Sequence, residues 1–296
     1  MAWSSKGTSA RVSVCIPAYR AEAYIGETIE SVLAQTYEDF ELVILVNNSP
    51  DGTGEIARSY DDPRISVETN TKTLPLAENW NAAARLAQGE YLKILCADDT
   101  LHPDCLAEQA AILDENPDVV LTASRRNYLG ADGDVVLRDR GLNRLVGKLD
   151  SASVIDEVVR SGMNPLGFPA TMLLRRDDFC KIDGFDTRWL YPLDLEMALR
   201  LLARGQFYGT GRSLASFRVS PSSASSTGSN QGTQHRELLR VVAEDPQWEV
   251  GSASLRRGIV FSHIEAVKKF LFFAAINSRW RMLRQVPSLV LRRQSP

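Results

Sequence analysis

The sequence predicts an α/β fold: a mainly parallel sheet flanked by helices, followed by a helical extension. Three observations predict it. Short runs rich in Val and Ile alternate with stretches of helical periodicity from Arg11 to Ser124. The runs are apolar without alternation, as in parallel strands covered on both faces. The segment Leu255–Pro296 changes character, with nine Lys/Arg against one acid, Glu265.

Each element has its own signal. "RVSVCIP" (Arg11–Pro17) and "FELVILVNNS" (Phe40–Ser49) read as buried strands. Between them Ile25, Ile29, Val32 and Leu33 recur at helical spacing. "GEIARSY" reads as a short helix and "RISVETN" as a third strand. "LAENWNAAARLAQG" reads as a helix stopped by Gly89, and "EYLKILC" as a fourth strand. Pro103 opens a helix reaching Asn116, and "DVVLTAS" is a strand. The alternation of strand and helix implies helices on both faces of the sheet, with ligands beyond the carboxyl ends of the strands.

The second half is less regular. "NYLGADGDVVL" reads as a hairpin turning at Asp132-Gly133, and "DSASVIDEVVRSG" as a capped helix. "GFPATMLLRR" is a strand, "LDLEMALRLLARG" a helix, and "QFYGTGRSLASFRVS" a strand region. "SPSSASSTGSNQGTQ" (Ser220–Gln234) is polar and low in complexity, as linkers are.

Composition narrows the class. The 296 residues carry a net charge of −3, with 44% apolar and 24% charged residues, ordinary for a globular protein. "MAWSSKGTSARVSV" contains no signal-peptide core, and no run is long enough to cross a bilayer. Cys15, Cys96, Cys105 and Cys180 show no CxxC spacing, and three of them sit in apolar or helical contexts and read as reduced core thiols, so a cytoplasmic location is expected. The nine basic residues and Glu265 give the tail +8, which leaves −11 on residues 1–254. An acidic body without aromatics interleaved among basic residues argues against nucleic acid as a partner.

"LKILCADDTLHP" (Leu92–Pro103) carries the chemistry. A strand leaves the core and ends in two adjacent carboxylates, Asp98 and Asp99. Adjacent carboxylates repel and need compensation near a core. A divalent cation, Mn²⁺ or Mg²⁺, supplies it and bridges to phosphate oxygens. The alternative is that one acid caps the helix after Pro103.

Context decides between them. "SVCIPAYRAEAYIGETIESVLAQTYEDFELVILVNNSPDGT" and "NWNAAARLAQGEYLKILCADD", with the later "IDGFDTRW" and "DLEMALRLLARG", resemble a family 2 glycosyltransferase of the GT-A, Rossmann-like fold. The resemblance covers residues 11 to 220. It implies transfer of a sugar from a nucleotide diphosphate sugar, UDP- or dTDP-linked, to a carbohydrate or lipid-linked acceptor hydroxyl, with inversion. Glycan, glycolipid or natural-product biosynthesis would be the setting. It places Pro17, Ala18, Tyr19 and Asn48 at the nucleotide, Asp98 at the ribose and diphosphate, Asp99 on the metal, and Asp194 as catalytic base. It implies a nucleotide-sugar half over 11–100 and an acceptor half over 101–219. Around this catalytic domain, residues 1–10 are expected to be disordered, 220–234 a flexible loop and 235–296 a basic helical extension.

The chain departs from the family pattern at several positions. Asn47 and Asn48 stand where aspartates are usual, Cys96 where many members have a first Asp, and Leu193 where a Glu often precedes the base. Ser220 stands near the place of a metal-binding His. These changes keep a second reading open, a non-catalytic nucleotide- or sugar-binding module. Other residues have structural readings: Asp51 as a turn residue, Trp80 as packing, Glu196 and Arg200 as a surface pair. Trp189, beside the expected base, is a candidate to stack on the acceptor. For the basic tail two readings stand, a helix that packs on the domain or forms a homodimer, and peripheral contact with the anionic inner face of the cytoplasmic membrane.

Overall fold

The computed structural model describes residues 10–219, 231–248, 250–265, 267 and 268. The expected disordered N-terminus (apart from Ala10), most of the expected loop and the apolar run Phe270–Ile276 lie outside these residues.

Four strands build the first half: β1 (Val12–Ala18), β2 (Phe40–Val46), β3 (Ile65–Thr69) and β4 (Tyr91–Ile94). They pair in parallel in the order β3-β2-β1-β4. The helices α1 (Ile25–Leu33), α2 (Thr53–Arg58) and α3 (Leu76–Leu86) connect them. A short strand, β5 (Thr100–Leu101), and the helix α4 (Cys105–Glu115) follow. Ile25, Thr28, Ile29 and Val32 form the buried stripe of α1, the face that the spacing predicts. Gly89 does not stop α3: the helix ends at Leu86 and turns out at Ala87, where ψ is 138°. The reason for Gly89 is close approach, because a Cβ there would lie 2.8 Å from the Ser13 backbone nitrogen.

The second half adds β6 (Val119–Leu129), β7 (Val135–Arg140), β8 (Gly147–Leu149), β9 (Met172–Arg175) and β10 (Gln206–Arg218). Between them lie α5 (Ser151–Ser161), α6 (Arg176–Lys181) and α7 (Leu193–Leu202). The sheet continues β4-β9-β6-β10-β5. β9 runs antiparallel to both β4 and β6, and β10 is parallel to β6. The six strands β1, β2, β3, β4, β6 and β10 therefore point one way, and β9 with short β5, β7 and β8 points the other. The expected Asp132-Gly133 hairpin forms between β6 and β7, with Gly133 at φ 86°. Asp150 caps α5 by accepting the Ser153 N–H at 2.8 Å, and Gly162 ends it at φ 66°.

Two apolar cores lie on the two faces of the sheet. One gathers α1 and α4 residues such as Ile25, Ile29 and Leu106 with Val14, Ile16 and Ile44. The other gathers residues of α3, α5 and α7 with Cys15, Val43 and Leu45. The C-terminal part joins this second core. The helix α8 (Gln231–Glu244) buries Leu238, Leu239 and Val242 in it. It begins four residues inside the loop expected over 220–234, and it is part of the domain rather than an appendage. A last helix, α9 (252–265), crosses the end of α5. Among the described residues, no helix is long and apolar enough to cross a membrane.

Candidate active site

Because β2, β1 and β4 are neighbours in one parallel sheet, their carboxyl ends open on one side. At the end of β1, Pro17 and Ala18 are buried in the ladder opposite Leu45 and Val46. Tyr19 is 42% exposed, with the Arg20 guanidinium 5.4 Å from its ring centroid. At the end of β2, Asn48 is exposed and left-handed at φ 47°. The structure thus brings Tyr19 and Asn48 to one mouth. Asn47 is occupied instead: its amide donates to the Leu74 carbonyl and its oxygen accepts from Asn70 and Leu74 N–H, each at 2.9 Å.

The acidic pair follows β4 in a turn closed by the Asp99 N–H to the Cys96 carbonyl. A polar row along α1 and just past its C-terminal end braces this turn and the strand after it. Thr28 donates to the Ala97 carbonyl at 3.0 Å, Ser31 accepts the Leu101 N–H at 3.1 Å, and Gln35 donates to the His102 carbonyl at 2.8 Å. Thr28 and Ser31 lie three apart on one face of α1, and Gln35 follows the helix, which ends at Leu33.

Asp99 is 0% exposed. Its Oδ1 accepts the Arg218 backbone N–H at 3.0 Å, and its Oδ2 is buried with no hydrogen-bond partner. Burial and the neighbouring Asp98 carboxylate push the Asp99 carboxyl well above the ordinary carboxylate range, against the charges of Arg218 and Arg126. Burial raises Asp98 too, opposed by a backbone hydrogen bond and by Arg218. Arg218 is 1% exposed and compensates part of this negative charge. Its Nε donates to the Asp98 carbonyl at 3.0 Å and its Nη1 to the Gly130 carbonyl at 3.2 Å, while Nη2 pairs with Glu27. The guanidinium lies 4.7 Å from the Tyr24 ring centroid.

The residues present fit a divalent cation. Ligand atoms of Cys96, Asp98 and Asp99 lie within 4.8 Å of one another, and a buried carboxylate oxygen without a donor is what a hard cation satisfies. The reading of Asp98 or Asp99 as the cap of α4 fails: α4 follows Asp104, and no side chain caps it.

Asp194 occupies the first turn of α7 and is 8% exposed. Its Oδ1 accepts the Leu195 N–H at 2.8 Å, and Oδ2 receives the Asn164 amide at 3.4 Å. Asn164 closes its own turn through Gly167, so the segment Ser161–Thr171 abuts Asp194. Burial raises the Cys96 thiol well above its usual value, and the charges of Asp99, Asp98 and Asp194 add to the rise. Cys96 therefore stands in the field of the acidic pair and of Asp194 together.

Several other expectations resolve. Asp51 is a turn residue, accepting from the Ser49 and Thr53 hydroxyls at 2.7 and 2.6 Å. Trp80 packs edge-on against Phe185 at 5.3 Å. Glu196 and Arg200 do pair, at 2.6 Å, but Glu196 is buried, and Arg200 also caps the Gly184 carbonyl at 2.7 Å. The surface reading of that pair is corrected, because α6, α7 and the loop between them enclose it. Trp189 lines a cavity of about 610 Å³ between α7 and α8, opposite Trp248. Asp98, Asp99 and Asp194 are not among the residues that line that cavity. Ser220 lies outside the described residues.

Sequence reasoning missed Arg218 and the α1 row. "SFRVS" reads as one more strand end, and only the pairing of β5 with β10 (Leu101 opposite Ala215) carries Arg218 to the acids.

Comparison with known proteins bears on the fold and the family. An uncharacterized glycosyltransferase of Rickettsia typhi is 27% identical over 232 residues, 77% of this chain and 70% of that protein. Among solved structures, S. aureus TarS in complex with UDP-GlcNAc matches with a TM-score of 0.63 at 18% identity, over 79% of this chain and 65% of that one. The mannosyltransferase PcManGT from Pyrobaculum calidifontis, in complex with GDP-Man and Mn²⁺, matches with a TM-score of 0.59 at 18% identity, over 96% and 84%. These two likenesses establish the shared fold. The model of glycosyl transferase family 2 matches residues 13–182, more than half of the chain, and with that match the chain belongs to glycosyl transferase family 2.

Proposed function

We propose that the chain moves a sugar from a UDP- or dTDP-sugar to an acceptor hydroxyl with inversion at the anomeric carbon. The observation that carries the reading is the acidic pair after β4, in which Asp99 is fully buried with one carboxylate oxygen unpartnered; Asp194, in the first turn of α7, is the second acid. The two acids serve different ends of one displacement. Asp99 and Asp98 would hold a divalent cation, Mn²⁺ or Mg²⁺, which would supply positive charge beside the diphosphate. Asp194 takes the proton of the acceptor hydroxyl as that oxygen bonds to C1. The C1–oxygen bond to the diphosphate breaks in the same step, and the nucleoside diphosphate leaves. Leu195 N–H fixes the carboxylate, and the Asn164 amide gives way to the acceptor. Tyr19 and Asn48 flank the nucleotide, and the segment Ser161–Thr171 supplies the acceptor side.

A nucleotide diphosphate sugar as donor is supported by the TarS complex with UDP-GlcNAc and the PcManGT complex with GDP-Man and Mn²⁺, and the first of these favours a uridine donor. The test is Asp99→Asn and Asp194→Asn with a donor and acceptor found by screening. D194N is expected to retain nucleotide binding and lose about 10²–10⁴-fold in kcat. D99N is expected to lose metal-dependent nucleotide binding. Full turnover in either variant removes that residue from the site.

A further inference from the structure

We propose that Cys96 is a thiolate ligand of the cation at Asp98 and Asp99, and that this site selects thiophilic divalent ions over Mg²⁺. The inference rests on the acidic pair being a cation site, and not on sugar transfer.

Three observations meet here. The turn that joins Cys96 to Asp99 puts the side chains of residues 96, 98 and 99 together, with Sγ and the carboxylate oxygens within 4.8 Å of one another. Asp99 Oδ2, fully buried, has no donor, so the cluster holds a coordination position that no side chain fills. Cys96 is also unlike the other cysteines. Cys15 and Cys105 are fully buried in the apolar cores, and Cys180 is half-buried on α6. Among the described residues, Cys96 is the one thiol grouped with carboxylates in ligand range.

The chemistry follows from the donor set. Two carboxylates alone suit Mg²⁺ or Mn²⁺, hard ions that prefer oxygen and keep their water. A thiolate adds a soft donor and shifts preference toward Co²⁺ and Zn²⁺, with Mn²⁺ between. As the sulfur–metal bond forms, the thiol proton leaves to solvent. The thiolate also brings a third negative charge, which binds the cation more tightly.

The experiment is a cobalt titration of the full chain followed by absorption, with zinc and magnesium binding measured by calorimetry. The wild-type chain is expected to show a sulfur-to-cobalt charge-transfer band that saturates at one ion per chain. C96S is expected to lose the band and about tenfold or more in Zn²⁺ affinity, while Mg²⁺ affinity stays within about twofold. D99N is expected to lose binding of all three ions. C96A, with circular dichroism on each variant, guards against a folding defect. Cobalt binding without the band, a band that persists in C96S, or no binding at all overturns the proposal. Sugar transfer by a chain that shows no band would sink this inference and leave the proposed function standing. A band in a chain without transfer would do the reverse.

Discussion

Arg218 and Asp99, 119 residues apart in sequence, meet through a single backbone hydrogen bond of 3.0 Å. The N–H of Arg218 fixes one carboxylate oxygen, and its guanidinium then spans the Asp98 carbonyl, the Gly130 carbonyl and Glu27. One residue at the end of β10 therefore ties the acidic turn to α1 and to the β6–β7 hairpin.

Removing that side chain takes away the guanidinium nearest the acid pair and strands two carbonyls. Arg218→Ala is expected to cost about 1–3 kcal/mol, the range for leaving buried hydrogen-bonding groups unpaired. Arg218→Lys should recover less than half, since an ammonium cannot reach three separated acceptors at once. Urea unfolding measures both; an Ala variant as stable as wild type would mean the guanidinium does not brace the turn.

Asp51 gives a pH signature at low pH. Burial raises its pKa, but the Thr53 and Ser49 hydroxyls and the N–H groups of Glu22 and Thr53 outweigh that and lower it from 3.8 to about 2. A carboxyl lowered on folding adds stability in full above its unfolded value and loses it as pH falls through the folded one. Asp51→Asn should therefore cost about 1–2 kcal/mol at neutral pH, allowing for partial solvent screening. The gap should shrink as pH falls from about 4 to about 2. A difference that is constant over that window would refute the assignment.

Lys93 is buried in β4 and donates to the Ala170 and Met172 carbonyls at 2.9 and 2.7 Å. Burial lowers its pKa, against the nearby Cys105. Lys93→Met keeps the length and leaves both carbonyls without a donor. The expected loss is about 1–3 kcal/mol per orphaned group. Thermal unfolding checks it, and an unchanged Tm would show that the carbonyls find other donors.

The last helix depends on one small residue. A Cβ on Gly258 would lie 1.8 Å from the Val159 carbonyl oxygen of α5, so Gly258→Val should detach α9 and lower Tm by several degrees. Val260, Ile264 and Val267 are exposed, and serine at all three should leave Tm nearly unchanged. The same triple variant separates the readings of the tail. Loss of flotation with anionic vesicles assigns the stripe to a membrane, and loss of a dimer in light scattering assigns it to a second copy.

Much of this was legible in the sequence because local pattern and position coincide. Val- and Ile-rich runs could only be buried strands, and the acids after β4 were placed by the strand's direction. Asp150 and Gly162 announced the ends of α5. What was not legible depends on long-range pairing. Nothing near Arg218 in sequence marks it, since its partners come from α1, the acidic turn and the β6–β7 hairpin. Thr28 and Ser31 on α1 and Gln35 just past it look like ordinary polar residues until the acidic turn is laid on them. The surface reading of Glu196 and Arg200 failed for a similar reason: helical spacing gives the pair but not what covers it.

The reversed strand β9 has a consequence for how the chain is made. Until Met172–Arg175 is synthesised, β4 is the bare edge of the sheet β3-β2-β1-β4, with its backbone groups on that side unpaired. The first half thus emerges from the ribosome with an open, apolar border. It waits through residues 95–171 for the strand that closes it, so nascent chains stalled before β9 should be the aggregation-prone ones.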